Sequence, residues 1–358
     1  MDKFSDEIAI KQVKLDKINK YQIMATMVPG LENVAEDQIR EILPDCIIKN
    51  SQRGKIFFNV NSSLRQLLKI KCLDNLYYFL SQFIIGATKE SLYQIKKELM
   101  KIAYTSIISS FCDSNQIYRI HVTASRVGKH SFSRFHVAAV ALEALTSLKI
   151  FIKGDADNHD LHFRLDVVDD IIYFSLKLTS AVYRYRSKYK LFMPGAIRPS
   201  IAKSLIWFSH PSNKDVFLDP FCGSGTIVAE RERYAYRKIL AFDIQASAVE
   251  TTKSNVSKKV IVREGDACHL PINDSCIHVI VTNLPWDIQI RSENIRNLYY
   301  MFLCEALRVL KENGRMILLT DKIDILRQVC QELNVGIKEL AQISLHGLHP
   351  YVFSINMY

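Results

Sequence analysis

The C-terminal half of the chain is expected to fold as a doubly wound α/β sheet, preceded by smaller units of α/β and α+β character. Three observations carry this expectation. From about Gly195, the apolar segments VFLD, KILAFD, KVIVRE, HVIVTN and GRMILLT alternate with helical or loop segments. That is the rhythm of a parallel sheet covered on both faces. ELAQISLHGLHP and YVFSINMY then follow each other directly and read as an antiparallel hairpin at the sheet edge, which brings the sheet to seven strands. The whole chain has 358 residues, more than one core usually holds, so two or three domains are expected.

Taken in order, residues 1–20 read as a charged lead-in open to fraying. YQIMATMV alternates apolar and polar residues, as a half-buried strand does. Pro29 and Gly30 punctuate it, and LENVAEDQIREIL has helical apolar spacing. GKIFFNV is rich in β-branched and aromatic residues, a strand. SSLRQLLKIKCLDNLYYFLSQF opens with Ser62 and Ser63 as candidate helix N-caps. KESLYQIKKELMKIAYTSIISSF reads as a helical stretch, QIYRIHVTASR as a strand and Phe135 to Leu148 as an alanine-rich helix. LHFRLDVVDDIIYFSLKL is a hairpin turning at Asp169 and Asp170, and SIAKSLIWFS is the helix that leads into the C-terminal sheet. No repeat of about 20–50 residues is visible.

The net charge of +10 favours an anionic partner, nucleic acid first. The plainer reading is a basic soluble protein. The N-terminal MDKFSDEIAIKQVKLDK mixes charges without a long apolar run, so no secretory leader is expected. No run of about 18 apolar residues suggests a membrane span. The eight cysteines are scattered, with no CxxC pair and no Cys/His zinc spacing. Free thiols in a reducing, cytoplasmic setting are expected, and no metal site.

Two short motifs about 60 residues apart carry the chemistry: LDPFCGSGT, Leu218 to Thr226, and TNLPW, Thr282 to Trp286. Together they look like a class I S-adenosylmethionine (SAM) methyltransferase acting on an exocyclic amine of a nucleobase. Ligands of open α/β sheets sit at the carboxyl ends of strands, and three acids fall at such ends. Gly223 and Gly225 let the backbone approach a ligand, and the helix opening near Thr226 offers free N–H groups to the methionine carboxylate. Asp219 can receive the cofactor's ammonium. Asp243, 18 residues after Gly225, can accept both ribose hydroxyls, and Asp266 in EGDA can accept from the adenine amino group, with the Ala267 backbone beside the ring. Phe221, Ile244 and Asn283 complete the candidate cofactor set. The third glycine of the dinucleotide fingerprint is missing, and no GxxxxGK is present. Each acid taken alone is an ordinary strand-end turn residue.

An aromatic amine is a poor nucleophile because its lone pair is delocalised into the ring. Holding it in line is the enzyme's main task. The Asn283 side-chain carbonyl suits that role as an acceptor, with the Leu284 backbone carbonyl as a second. Pro285 stiffens the turn, and Trp286 can stack on an extruded base, a contact worth roughly 1–3 kcal/mol. The alternative is a strand end with a turn proline and a core tryptophan. The motif has no cysteine, which disfavours a covalent pyrimidine mechanism, and Cys222 reads as packing.

Two basic runs could meet nucleic acid. RVGKHSFSRFH brings Arg126, Lys129, His130 and Arg134 to a strand-to-helix junction suited to phosphates. YRYRSKYK interleaves Arg184, Arg186, Lys188 and Lys190 with tyrosines. Such runs are often only solvated faces.

From about Tyr21 onward the chain resembles the THUMP-domain RNA methyltransferases, especially those that form N2-methylguanosine in tRNA. VPGLENVAEDQI with RGKIFF is similar to their N-terminal ferredoxin-like domain, here 21–85. VTASRVGKHSFSR and LTSAVYRYR are similar to the THUMP domain, here 86–186. RPSIAKSL, DPFCGSGT, AFDIQ, EGDA and TNLPW resemble the Rossmann-like catalytic domain, here 187–358, in sequence order. The resemblance implies SAM as cofactor, tRNA gripped at its 3′ end and acceptor stem, and a guanine N2 target. For a eukaryotic chain it also admits a small activating subunit. Asn283, Leu284, Pro285 and Trp286 stand where the family carries Asn/Asp-Pro/Leu-Pro-aromatic. Asp287 replaces a glycine that often follows, and Trp286 a commoner Tyr or Phe. Adenine N6 methylation of RNA or DNA, and a non-catalytic RNA-binding protein with a degenerate methyltransferase domain, are the alternatives.

Overall fold

The computed structural model describes residues 4–11, 13–112, 116–187, 191, 193–286, 292–345 and 347–356. The chain divides into two compact units, Met1–Thr26 with Glu36–Arg184, and Met27–Ala35 with Tyr185–Tyr358.

The first unit is built on one sheet of eight strands: β1 (Ile18–Thr26), β2 (Ile47–Gln52), β3 (Lys55–Ser63), β4 (Asn75–Ile84), β5 (Tyr118–Val127), β6 (Phe151–Lys153), β7 (Leu161–Val168) and β8 (Ile171–Lys177), in the order β2-β3-β1-β4-β8-β7-β5-β6. The helices around these strands are α1 (Glu32–Ile42), α2 (Leu64–Leu67), α3 (Ser91–Leu99), α4 (Tyr104–Ser109), α5 (Arg134–Thr146) and α6 (Ala181–Tyr185). Strands of 21–85 and of 86–186 share this sheet, joined where β4 pairs with β8. The β7–β8 hairpin turns at Asp169, which adopts a φ of 51°. α5 starts on a capping box, with the Ser133 hydroxyl accepting from the His136 N–H and the His136 ring accepting from the Ser133 N–H.

Three readings are corrected here. The run after Ser63 is helical only over α2, and NLYYFLSQFI is strand β4, because the aromatic residues Tyr77 and Phe79 pack against Phe57 and Tyr173 across the sheet. The long helical stretch after Lys89 is two helices, α3 and α4, parted at residues 100–103. Within the lead-in, Ile8 and Ile10 are buried, and Glu7 meets the Lys71 ammonium at 2.6 Å in the interior.

The second unit carries β9 (Val216–Asp219), β10 (Lys238–Asp243), β11 (Ile261–Glu264), β12 (Ile277–Asn283), β13 (Leu310–Thr320), β14 (Gly336–Gln342) and β15 (Tyr351–Asn356). Its helices are α7 (Pro199–Phe208), α8 (Thr226–Arg231), α9 (Ala246–Asn255), α10 (Ser292–Val309) and α11 (Ile323–Glu332). The strand order is β11-β10-β9-β12-β13-β15-β14. The first five strands run parallel, and β15 is antiparallel to both its neighbours, so the expected closing hairpin lies at this edge with its second strand inserted beside β13. Pro199 occupies the first turn of α7, where its missing N–H costs nothing. From β9 the chain steps to β10 and β11 on one side, then returns to β12 on the other. That reversal opens a crevice between the carboxyl ends of β9 and β12.

Among the described residues no helix is long and apolar enough to cross a membrane, and no disulfide joins any of the cysteines.

Candidate active site

A cavity of about 670 Å³ opens at those carboxyl ends, and Asp219, Asp243, Asp266 and Asn283 all line it. Burial places Asp219 at 1% exposure. Its Oδ1 accepts from the Thr282 hydroxyl at 2.7 Å and from the Phe221 N–H at 3.3 Å, whereas its Oδ2 is enclosed with no donor among the described residues. Burial raises the Asp219 pKa to about 7. The charge of Asp243 adds to the rise, and the bonds from Thr282 and Phe221 oppose it.

Asp243 ends β10 and braces the glycine turn, accepting from the Gly223 N–H at 2.9 Å and from the Gln245 N–H at 3.0 Å. The two glycines of that turn do different things. Both have left-handed φ, 52° at Gly223 and 74° at Gly225. A Cβ on Gly223 would meet nothing within 4 Å, and that residue lines the cavity. A Cβ on Gly225 would stand 2.8 Å from Thr252 Cγ2. Gly225 is therefore needed for packing against α9 and does not line the cavity, which revises its reading as a point of ligand approach. Phe221 packs edge-on against Phe302, Thr226 opens α8, and Ile244 is 67% exposed at the cavity margin.

Asp266 is half exposed, and its Oδ1 accepts from the Cys268 N–H at 2.9 Å. Ala267 beside it is buried. The loop they sit on is fastened from α10. The Glu305 carboxylate accepts from the Leu270 N–H at 2.7 Å, and Arg308 donates to the carbonyls of Leu270 and Ile272. Burial raises the Cys222 thiol pKa, and its partner is the Thr252 hydroxyl, which fits a packing role.

Asn283 ends β12 opposite Leu319 of β13. Its Oδ1 is buried without a donor among the described residues, and the residue lines the cavity. The next residue, Leu284, is wholly buried and donates its N–H to the Leu319 carbonyl at 3.0 Å. Pro285 lines the cavity, and its carbonyl accepts from the Tyr299 hydroxyl at 2.9 Å. Trp286 is not part of the cavity wall, and its Nε1 is buried without an acceptor among the described residues. Asp287 lies outside the described residues.

Sequence reasoning missed three elements of the site. Met193 to Ile197, an apolar Pro-Gly loop with no chemical signature, forms one wall. The Asn255 amide ties this approach segment to the glycine turn: Oδ1 accepts from the Leu191 N–H, and Nδ2 donates to the carbonyls of Leu191 and Ser224, each at 2.8 Å. Tyr299 is the third; in the sequence it is only one more aromatic on an amphipathic helix.

The basic candidates separate sharply. Arg126, Lys129 and Arg134 are exposed at the β5–α5 junction, and His130 bonds to the Asp169 carbonyl beside them. Arg184 sits 3.5 Å from the Asp74 carboxylate, within the first unit. Arg186, read from the sequence as a phosphate ligand, is corrected: its side chain is fully buried and its Nε donates to the equally buried Glu230 carboxylate at 2.9 Å. A buried carboxylate demands such a partner. Lys188 and Lys190 lie outside the described residues.

Residues 186–350 match the family model described as UPF0020, RMKL-like, methyltransferase domain. A Methanocaldococcus jannaschii protein named tRNA (guanine(6)-N2)-methyltransferase is 23% identical to this chain, over 93% of it and 99% of its own length. The crystal structure of TrmN from Thermus thermophilus superposes with a TM-score of 0.77 at 21% identity, covering 95% of this chain and 100% of that one. The structure of SMU.472 complexed with SAH gives a TM-score of 0.72 at 14% identity, over 95% of this chain and 98% of that one. These two structures share the fold over nearly the whole length.

Proposed function

We propose that this chain, whose residues 186–350 form a methyltransferase domain of the UPF0020 family, transfers a methyl group from SAM to guanine N2 in the acceptor-stem region of tRNA. One observation carries the reading. Two residues that line a single cavity, Asp219 and Asn283, stand at the ends of strands on either side of the sheet's switch point, and each carries a buried side-chain oxygen, Oδ2 and Oδ1 respectively, with no donor among the described residues. Buried acceptors without partners are costly unless a ligand satisfies them. The first is part of a carboxyl group and suits a cation, such as the ammonium of a methionine moiety. The second is a neutral amide oxygen and suits an uncharged N–H donor, such as an exocyclic amine.

The rest of the cavity fits SAM. Asp243 and Asp266 line the same cavity and on this reading take the ribose and the adenine, and the open space at Gly223 supports close approach to the backbone. SAM supplies an electrophilic methyl group on a sulfonium. The protein's own part is to orient the acceptor. Asn283 Oδ1 accepts one amine N–H, which draws the lone pair out of conjugation and fixes its direction; the sulfonium S–C bond breaks as the N–C bond forms, and the nitrogen then gives its proton to water. Orientation of this kind needs no strong base. Relatives named as tRNA (guanine(6)-N2)-methyltransferases, and the SAH held by SMU.472, support substrate and cofactor class. On this reading the first unit supplies the ferredoxin-like and THUMP regions, and Arg126, Lys129, His130 and Arg134 meet the tRNA backbone.

The test is product identification. The protein is incubated with labelled SAM and unmodified tRNA transcripts, and the digested RNA is examined by mass spectrometry. N2-methylguanosine is expected; N6-methyladenosine, or SAM binding without any product, would displace the reading. Asn283→Ala is expected to lower kcat by about 100-fold or more while SAM affinity stays intact.

A further inference from the structure

We infer that Tyr299 is a positioning residue for methyl transfer: its hydroxyl ends a directed chain of hydrogen bonds that fixes the turn after Asn283 and so aims the amine acceptor. The inference rests on the reading of Asn283 given above. Tyr299 lies on α10 and is wholly buried. Its Oη is 2.9 Å from the Pro285 carbonyl and 2.8 Å from Thr320 Oγ1. A carbonyl can only accept, so the phenolic proton goes to Pro285. Thr320 must then donate its own proton to Tyr299, and its oxygen accepts from the Lys322 N–H at 2.9 Å. The direction of each bond is thereby set, and in a buried chain each bond strengthens the next.

The chain ends where it matters. On one side, the Leu284 N–H is held by the Leu319 carbonyl at 3.0 Å; on the other, the Pro285 carbonyl is held by Tyr299. The Leu284 carbonyl lies between these two grips, and Asn283 stands just before the first. The turn cannot rotate without breaking one of them. Phenylalanine at position 299 would keep the ring packing but leave the Pro285 carbonyl and the Thr320 hydroxyl each short of this partner.

The experiment is steady-state and single-turnover methylation of tRNA transcripts by the full chain, with calorimetric SAM affinity, in Tyr299→Phe, Thr320→Val and both combined with Asn283→Ala. For Tyr299→Phe, kcat is expected to fall about 10–100-fold while the affinities for SAM and tRNA stay within about twofold. Thr320→Val should shift kcat in the same direction by less, because Tyr299 still reaches Pro285. On the Asn283→Ala background, Tyr299→Phe should cost almost nothing more, since the oxygen it aims is gone. Full kcat in Tyr299→Phe would overturn the inference. So would a loss that tracks SAM affinity, or one that multiplies with Asn283→Ala, because either is the mark of general packing. A wild-type chain that binds SAM but methylates no tRNA would remove the functional reading and this inference with it. An active wild type with an indifferent Tyr299→Phe removes the inference alone.

Discussion

Asp219→Asn separates the two demands that the proposed function puts on the end of β9, stability and cofactor binding. The wild-type carboxyl is enclosed, its Oδ2 faces no donor among the described residues, and burial holds its pKa at about 7. An unfolded aspartate ionises near about 3.9. Between those values the folded chain binds more protons than the unfolded one, so its stability falls as pH rises from about 4 to about 7. About three pH units at roughly 1.36 kcal/mol each put a ceiling of about 4 kcal/mol on that loss. Asparagine is uncharged throughout and keeps, through its carbonyl oxygen, the acceptor for Thr282 and Phe221. The variant should exceed wild type by about 1–2 kcal/mol at pH 5 and by about 3–4 kcal/mol at pH 8, read from urea midpoints at constant m. SAM affinity should move the opposite way. Loss of a charge-assisted bond of about 1.5–3 kcal/mol weakens binding about 10- to 100-fold at pH 8, read by calorimetry. A variant less stable than wild type at pH 8 by the same margin as at pH 5 would refute the reasoning, because the carboxylate would then be ionised without penalty.

Two further predictions concern packing and charge. Gly225→Ala is expected to cost about 2–5 kcal/mol, because left-handed backbone and the close Thr252 methyl act together, whereas Gly223→Ala pays only the backbone strain of about 1–2 kcal/mol but weakens SAM binding; equal costs in urea unfolding would contradict the division of roles. Arg186→Ala should destabilise the fold by about 3–5 kcal/mol by removing a buried guanidinium from the buried Glu230 carboxylate. The folded fraction should bind tRNA as wild type does in a gel-shift titration, and a selective loss of tRNA affinity would restore Arg186 to the RNA surface.

Much of the second unit was legible in the sequence because its signals are local. Strand ends, a glycine turn and an Asn-Leu-Pro-Trp turn are each written within a few consecutive residues, and the parallel sheet places their carboxyl ends together whatever the loops between them do. The strand rhythm likewise announced all seven strands of that sheet. The first unit was read less well where a strand follows a helical turn, because the aromatic partners that select β4 come from Phe57 and Tyr173, far away in sequence.

What only the tertiary structure decided is which groups are left wanting. Nothing local distinguishes Asp219 Oδ2, without a donor among the described residues, from Asp243, each of whose oxygens accepts one backbone N–H. Arg184 and Arg186 look alike in YRYR, yet one reaches Asp74 in the first unit and the other is sealed against Glu230 in the second. Tyr299 acquires meaning only because α10 brings its hydroxyl to the carbonyl of Pro285. Sequence by itself determined which chemical groups the chain carries and which strand ends they occupy, since those follow from local pattern. Burial and partnership depend on what the fold brings from elsewhere, and these decide whether a polar group is satisfied by the protein or left for a ligand.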